Sequence, residues 1–141
     1  MSKRDRHVDP SRGRFKSFME SAGEGPIWML NLIRLRKKAR YEDGMAATGA
    51  EAYATYARES EPFFKGVGGK IVWSGTPENL LIGPKSEQWD LCFVAEYPSA
   101  QAFAGMVKDE GYQKAVVHRQ AAVKDSRLLR LKPGAAGKVF G

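Results

Sequence analysis

The order of apolar and polar positions divides the chain into alternating strands and helices. Residues 27–36 form an apolar, β-rich run entered through Pro26, and this predicts a first strand. Thr48-Gly49-Ala50-Glu51 reads as a capping box, in which the threonine oxygen and the Glu51 carboxylate satisfy free backbone N–H groups at a helix start. Ala50, Tyr53, Ala54, Ala57 and Phe64 follow at helical spacing, and Pro62 is expected to distort or end that helix early. Gly66, Gly68 and Gly69 break the pattern before a second strand over 70–74. Residues 79–82, bracketed by Gly75, Pro77, Gly83 and Pro84, read as a short hairpin arm or extension. A third strand is expected over 89–97, then a helix capped by Ser99 with Phe103, Met106 and Val107 as its buried stripe. Gly111 interrupts this helix. A further helix is expected from about Tyr112 to Lys124, stopped by Asp125-Ser126, and a fourth strand over 127–131.

The order β-α-β-β-α-β is that of the ferredoxin-like split βαβ unit, an α+β fold with helices on one face of an antiparallel sheet. The other face is bare in a single copy and here carries large apolar side chains. Such a face must meet water, a ligand or a partner, so the pattern predicts a homodimer.

The 141 residues suffice for one domain. Its expected limits are residues 26–133, with a basic arm at 1–25 and a small-residue tail at 134–141. The arm has no sustained periodicity beyond one possible helical turn around Phe15, Phe18 and Met19. No stretch has the roughly 18 apolar residues that cross a bilayer, and the start lacks the apolar segment of a secretory signal. One cysteine excludes an internal disulfide, and with two histidines it leaves little for a transition metal. The expectations are therefore a cytoplasmic location, no metal and no cofactor. The net charge of +7 is uneven: residues 1–40 carry eleven Lys and Arg against four acids, and residues 41–141 carry twelve of each. The basic character belongs to the arm and the end of the first strand.

Two positions break the apolar pattern. On the last helix Arg119 falls among Tyr112, Val116 and Val123 on the buried stripe. Its stem can pack while its head reaches an edge or a carboxylate such as Asp90. Alternatively the guanidinium points into a pocket between helix and sheet, ready for a carboxylate, enolate or carbonyl oxygen. His118 lies off the stripe, at a surface or a pocket rim. On the first strand Asn31 is the lone polar residue in the row Ile27, Met29, Ile33, Leu35. A buried amide needs partners, so it bonds either backbone or a ligand oxygen. Tyr53 and Tyr56 can bury their rings and present their hydroxyls, as core or as lining, and Trp89 can line a pocket mouth. The binding candidates are thus Arg119, Asn31, Tyr53, Trp89 and His118. No phosphate loop, HExxH or GxSxG motif is present. RNA-recognition domains share this fold order, and Trp28 stands at a stacking position. However, the third strand lacks their basic-glycine start and aromatic spacing, so nucleic acid is not the expected partner.

Several short motifs together resemble a known group. They are Met29-Leu30-Asn31-Leu32; Gly49, Tyr53 and Tyr56; Gly68-Gly69; Trp89-Asp90; Tyr97-Pro98-Ser99 with Phe103 and Met106; and Tyr112, His118-Arg119 and Asp125-Ser126. Over about residues 26–132 the chain resembles the bacterial domain-of-unknown-function family numbered thirteen-thirty, in the dimeric α+β barrel superfamily. The resemblance implies a homodimer whose two sheets pack face to face. It supplies no activity. Superfamily relatives include cofactor-free monooxygenases, muconolactone-type isomerases and haem-dependent chlorite dismutases, but no haem-ligand histidine is evident here. The expectation is a small-molecule pocket between sheet and helices, acting on an oxygenated organic compound by isomerisation or cofactor-independent oxygenation. The alternatives are a non-catalytic ligand-binding or structural dimer, and an RNA-binding module.

Overall fold

The computed structural model describes residues 7–135. Its elements run α1 (Arg12–Glu20), β1 (Ile27–Leu35), α2 (Gly49–Gly66), β2 (Lys70–Gly75), β3 (Leu91–Tyr97), α3 (Ala100–Lys108), α4 (Glu110–Ala122) and β4 (Val123–Leu131). The sheet order is β2-β3-β1-β4, and every neighbouring pair is antiparallel. This is the ferredoxin-like α+β fold. Residues 136–141, most of the expected tail, lie outside the described residues.

Register assigns the two faces. Directly paired residues share a face, so Met29 stands with Ala95 and Arg130, and Asn31 with Phe93 and Leu128. This row faces the helices. The opposite row holds Trp28, Leu30 and Leu32 with Glu96, Val94 and Cys92. There the Trp28 indole N–H donates to the Glu96 carboxylate at 2.8 Å, and Lys70 lies 3.4 Å from the same side chain. Both contacts, the indole bond first, hold Glu96 below the usual carboxylate range.

The Thr48 capping box forms as the sequence predicts, with Glu51 N–H donating to Thr48 Oγ1 and Thr48 N–H to Glu51 Oε1. Three elements differ from expectation. Helix α2 continues past Pro62 to Gly66. Its exposed last turn tolerates one missing N–H, and Gly68, at φ +87°, then turns the chain toward β2. Gly111 lies inside α4 and does not separate the two helices. The break falls at Asp109, whose extended backbone ends α3 and whose carboxylate caps α4 through Gly111 N–H at 2.8 Å. Glycine at 111 leaves room for the Phe63 ring of α2, which lies where a side chain would be and would have to shift for any other residue. Finally, the last helix stops at Ala122 and the chain enters β4 at Val123, paired with Leu35. Residues 79–82 form neither strand nor helix, and Leu81 and Ile82 project from that loop almost fully exposed.

The N-terminal segment is docked. Phe15 and Phe18 pack their rings on Phe103 of α3. Arg130 of β4 sits 4.9 Å over the Phe18 ring and donates to the Phe18 carbonyl and to Ser21.

Candidate functional site

The helix-facing core is not continuous. One buried cluster gathers Ile27, Met29, Ala95, Tyr97, Met106 and Tyr112. A second gathers Ile33, Ala52, Ala122 and Val123. Asn31 lies between them on β1, and polar side chains that border the two clusters form a belt at that level. Its members are Asn31, Tyr53 and Tyr56 of α2, and Tyr112 and Arg119 of α4.

Arg119 reaches the belt as its helical angle requires, with its side chain 12% exposed. One terminal amine donates to the Val8 carbonyl at 2.5 Å and the other to Ser126 Oγ at 3.4 Å; the Asp9 carboxylate stands at 3.9 Å. Asp90 is not its partner. That carboxylate accepts Leu35 N–H at 2.7 Å while its own N–H donates to the Ile33 carbonyl, so it joins the ends of β1 and β3. Ser126 pairs with Ile33, and Asn31 pairs with Leu128, two residues further along β4 on the same face. The guanidinium therefore lies one diagonal step of the sheet from Asn31.

Asn31 uses its amide N–H₂ on its own strand, donating to the Met29 carbonyl at 3.1 Å. Tyr56 and Tyr112 share a hydrogen bond of 2.8 Å between hydroxyls. Tyr53 stacks its ring near Tyr56, with centroids 5.3 Å apart. Its hydroxyl makes no hydrogen bond to another described residue. Burial raises the Tyr53 and Tyr112 hydroxyls well above the ordinary tyrosine value, and the nearby Arg119 charge offsets this in part. Both stay protonated at neutral pH. The belt thus combines one cation with the Tyr53 hydroxyl, a pair suited to hold an oxygen atom bearing negative charge, and an Asn31 carbonyl oxygen that can accept.

The structure separates the other two candidates from this belt. His118 turns toward the α2 side, where its Nδ1 lies 2.6 Å from Tyr41 Oη and its Nε2 lies 3.4 Å from Glu59. Burial first, and then the Glu59 and Asp43 charges, keep the Tyr41 hydroxyl protonated. Trp89 lies on the opposite face of the sheet. With Leu32 and Cys92 it lines a cavity of about 380 Å³ beneath the β2–β3 loop. The Arg127 guanidinium covers its ring at 5.2 Å and pairs with Asp125 and Glu87. Among the described residues no cluster of three or more His, Cys, Asp or Glu could hold a metal ion. Nor is any helix among them long and apolar enough to cross a membrane.

Sequence reasoning missed Tyr41 and Glu59 because neither breaks a local pattern. It counted Tyr112 as apolar stripe, and it gave no signal that Val8 would meet Arg119 from 111 positions away.

Residues 44–130 match the family described as Domain of unknown function (DUF1330). The chain belongs to that family. RPA0582, a protein of unknown function from Rhodopseudomonas palustris, has two similar crystal structures, each 55% identical to this chain. That of the methylated protein has a TM-score of 0.91 and covers 94% of this chain and 98% of its own. The other gives 0.88, covering 92% and 98%. A presumed antibiotic biosynthesis monooxygenase from Caulobacter crescentus CB15 is 10% identical, with a TM-score of 0.50 over 84% of this chain and 99% of its own. At that distance the likeness concerns the fold alone. No curated protein matches this DUF1330 chain.

Proposed function

We propose that this DUF1330 protein is a homodimer that binds a small oxygenated organic compound between its sheet and its helices. The observation behind this reading is the polar belt that borders the two core clusters, where a largely buried guanidinium acts electrostatically on a tyrosine hydroxyl that has no partner among the described residues. Arg119 and Tyr53 would fix the ligand's oxygens, with the Asn31 carbonyl oxygen as an acceptor beside them. A cation and a neutral hydroxyl stabilise an enolate or a similar oxyanion, the charge that develops in isomerisation and in cofactor-independent oxygenation. The belt itself carries no general base, so a turnover reaction would take its proton acceptor from the substrate or from solvent.

The dimer reading rests on the open sheet face, where Trp73 and Leu129 of two different strands are about half exposed beside Leu30 and Val94. Burying such a patch against a second copy removes it from water.

Thermal-shift screening of small keto, phenolic and carboxylic compounds tests the site against Arg119→Met and Tyr53→Phe. The expected result is a class of stabilising compounds whose effect disappears in both variants. Compounds that stabilise the parent and both variants equally would place the binding site elsewhere.

A further inference from the structure

Building on that reading, we propose that the ligand class of the belt is a small carboxylate, and that residues 7–9 of the arm act as its built-in competitor. Arg119 presents a planar fork of N–H donors that matches two oxygens at once. In this structure the fork is met by the Val8 carbonyl at 2.5 Å and the Ser126 hydroxyl at 3.4 Å, with an Asp9 carboxylate oxygen at 3.9 Å. The arm thus offers a carbonyl and a carboxylate to the fork, the groups a bound organic acid would replace.

The strap is lightly held. His7 N–H donates to Asp125 Oδ1 at 3.1 Å, Ser126 Oγ donates to the His7 carbonyl at 2.6 Å, and Gln120 Nε2 donates to Asp9 Oδ2 at 3.2 Å. His7 and Asp9 are exposed, and Val8 alone packs on the second core cluster. The following segment is fixed much more firmly, through Phe15, Phe18 and Arg130. Pro10 and Ser11, the α1 N-cap, stand between the two. The strap can therefore lift at that junction while α1 stays docked. Lifting it frees the Arg119 fork and, within the core, gives up only the packing of Val8 on the second cluster. Linkage requires the effect to be mutual: a carboxylate that binds Arg119 must loosen the strap, and a weaker strap must raise carboxylate affinity.

Benzoate is the probe. Full-length protein is titrated with sodium benzoate while amide hydrogen exchange is followed over residues 7–11 and over α1. Benzoate should speed exchange at 7–11 in a saturable manner and leave α1 protected. Asp9→Ala should lower the half-saturating benzoate concentration by about threefold, because less of the protein is held closed. Arg119→Lys, which keeps the charge and loses the fork, should bind benzoate at least about tenfold more weakly. Should Asp9→Ala fail to fold, the exchange response of the parent protein decides the matter alone. Benzoate binding that depends on Arg119 but leaves exchange at 7–11 unchanged overturns the competitor and spares the site. Absence of Arg119-dependent binding in both the parent and Asp9→Ala overturns the carboxylate class and leaves the site itself to be judged by the keto and phenolic compounds of the thermal-shift screen.

Discussion

A single arginine shows how far residue patterning reaches. Its place on an apolar helical stripe was enough to single out Arg119, since the angle follows from spacing alone, and it left open whether the head reaches an edge or a pocket. The partners of its head were not legible, because they come from a segment 111 residues earlier and from the start of β4. Arg119→Met keeps the apolar stem and removes the donors. It leaves the Val8 carbonyl and the Ser126 hydroxyl without their shared partner in a site only 12% exposed. The expected cost is about 2 kcal/mol, the range for hydrogen bonds to a charged group. Urea unfolding of the parent and the variant checks it. A variant as stable as the parent would mean the strap contact contributes nothing to the folded chain.

At the scale of elements, Pro62 offers a similarly direct test. It sits in the interior of α2, exposed, and cannot donate to the Arg58 carbonyl one turn back. Pro62→Ala restores that donor in a helix already held at both ends. The expected gain is about 1 kcal/mol, seen as a higher Tm in calorimetry; the difference between the two propensities is larger, but proline also restricts the unfolded chain. The same position shows why element boundaries were harder to read than element order. Capping boxes, glycine breaks and helical stripes are local signals, and they located α2 and α3 and the strand order. Whether a helix survives a proline depends on what packs beneath it, here Phe63 and Phe64 on the first cluster. Gly111 follows the same logic. Its role is to admit the Phe63 ring, a contact between two helices that no window of sequence contains. Lys124 and Val123 read as helix until the pairing of Val123 with Leu35 claims them for β4. The belt was legible in part: Asn31 and Arg119 broke patterns and Tyr53 and Tyr56 could be read as core or as lining, whereas Tyr112 passed as ordinary core.

At the scale of the whole molecule, two outcomes follow from what the fold leaves bare and what it buries. If the open face seats a second copy, Trp73→Glu and Leu129→Glu place charges in the shared layer. Each should shift the protein from dimer to monomer in light scattering, while substitution of the exposed Val117 on α4, on the other side of the molecule, leaves the mass unchanged. The second outcome concerns alkali. Burial raises the hydroxyls of Tyr53, Tyr97 and Tyr112 above the ordinary value of 10.0. The folded chain keeps these protons, whereas the unfolded chain releases them near pH 10. Folding stability is therefore intact below about pH 10 and falls above it, by roughly 1.4 kcal/mol per pH unit for each group. Three such groups lose roughly 4 kcal/mol per unit, so a domain with ordinary stability of about 5–15 kcal/mol should unfold cooperatively within a few units above pH 10. Tyrosinate absorbance and far-ultraviolet circular dichroism should then change together for these residues, and Tyr112→Phe should make the fall shallower. Tyrosinate forming at all five tyrosines near pH 10 with the helices still intact would contradict the buried, protonated belt on which the ligand reading depends.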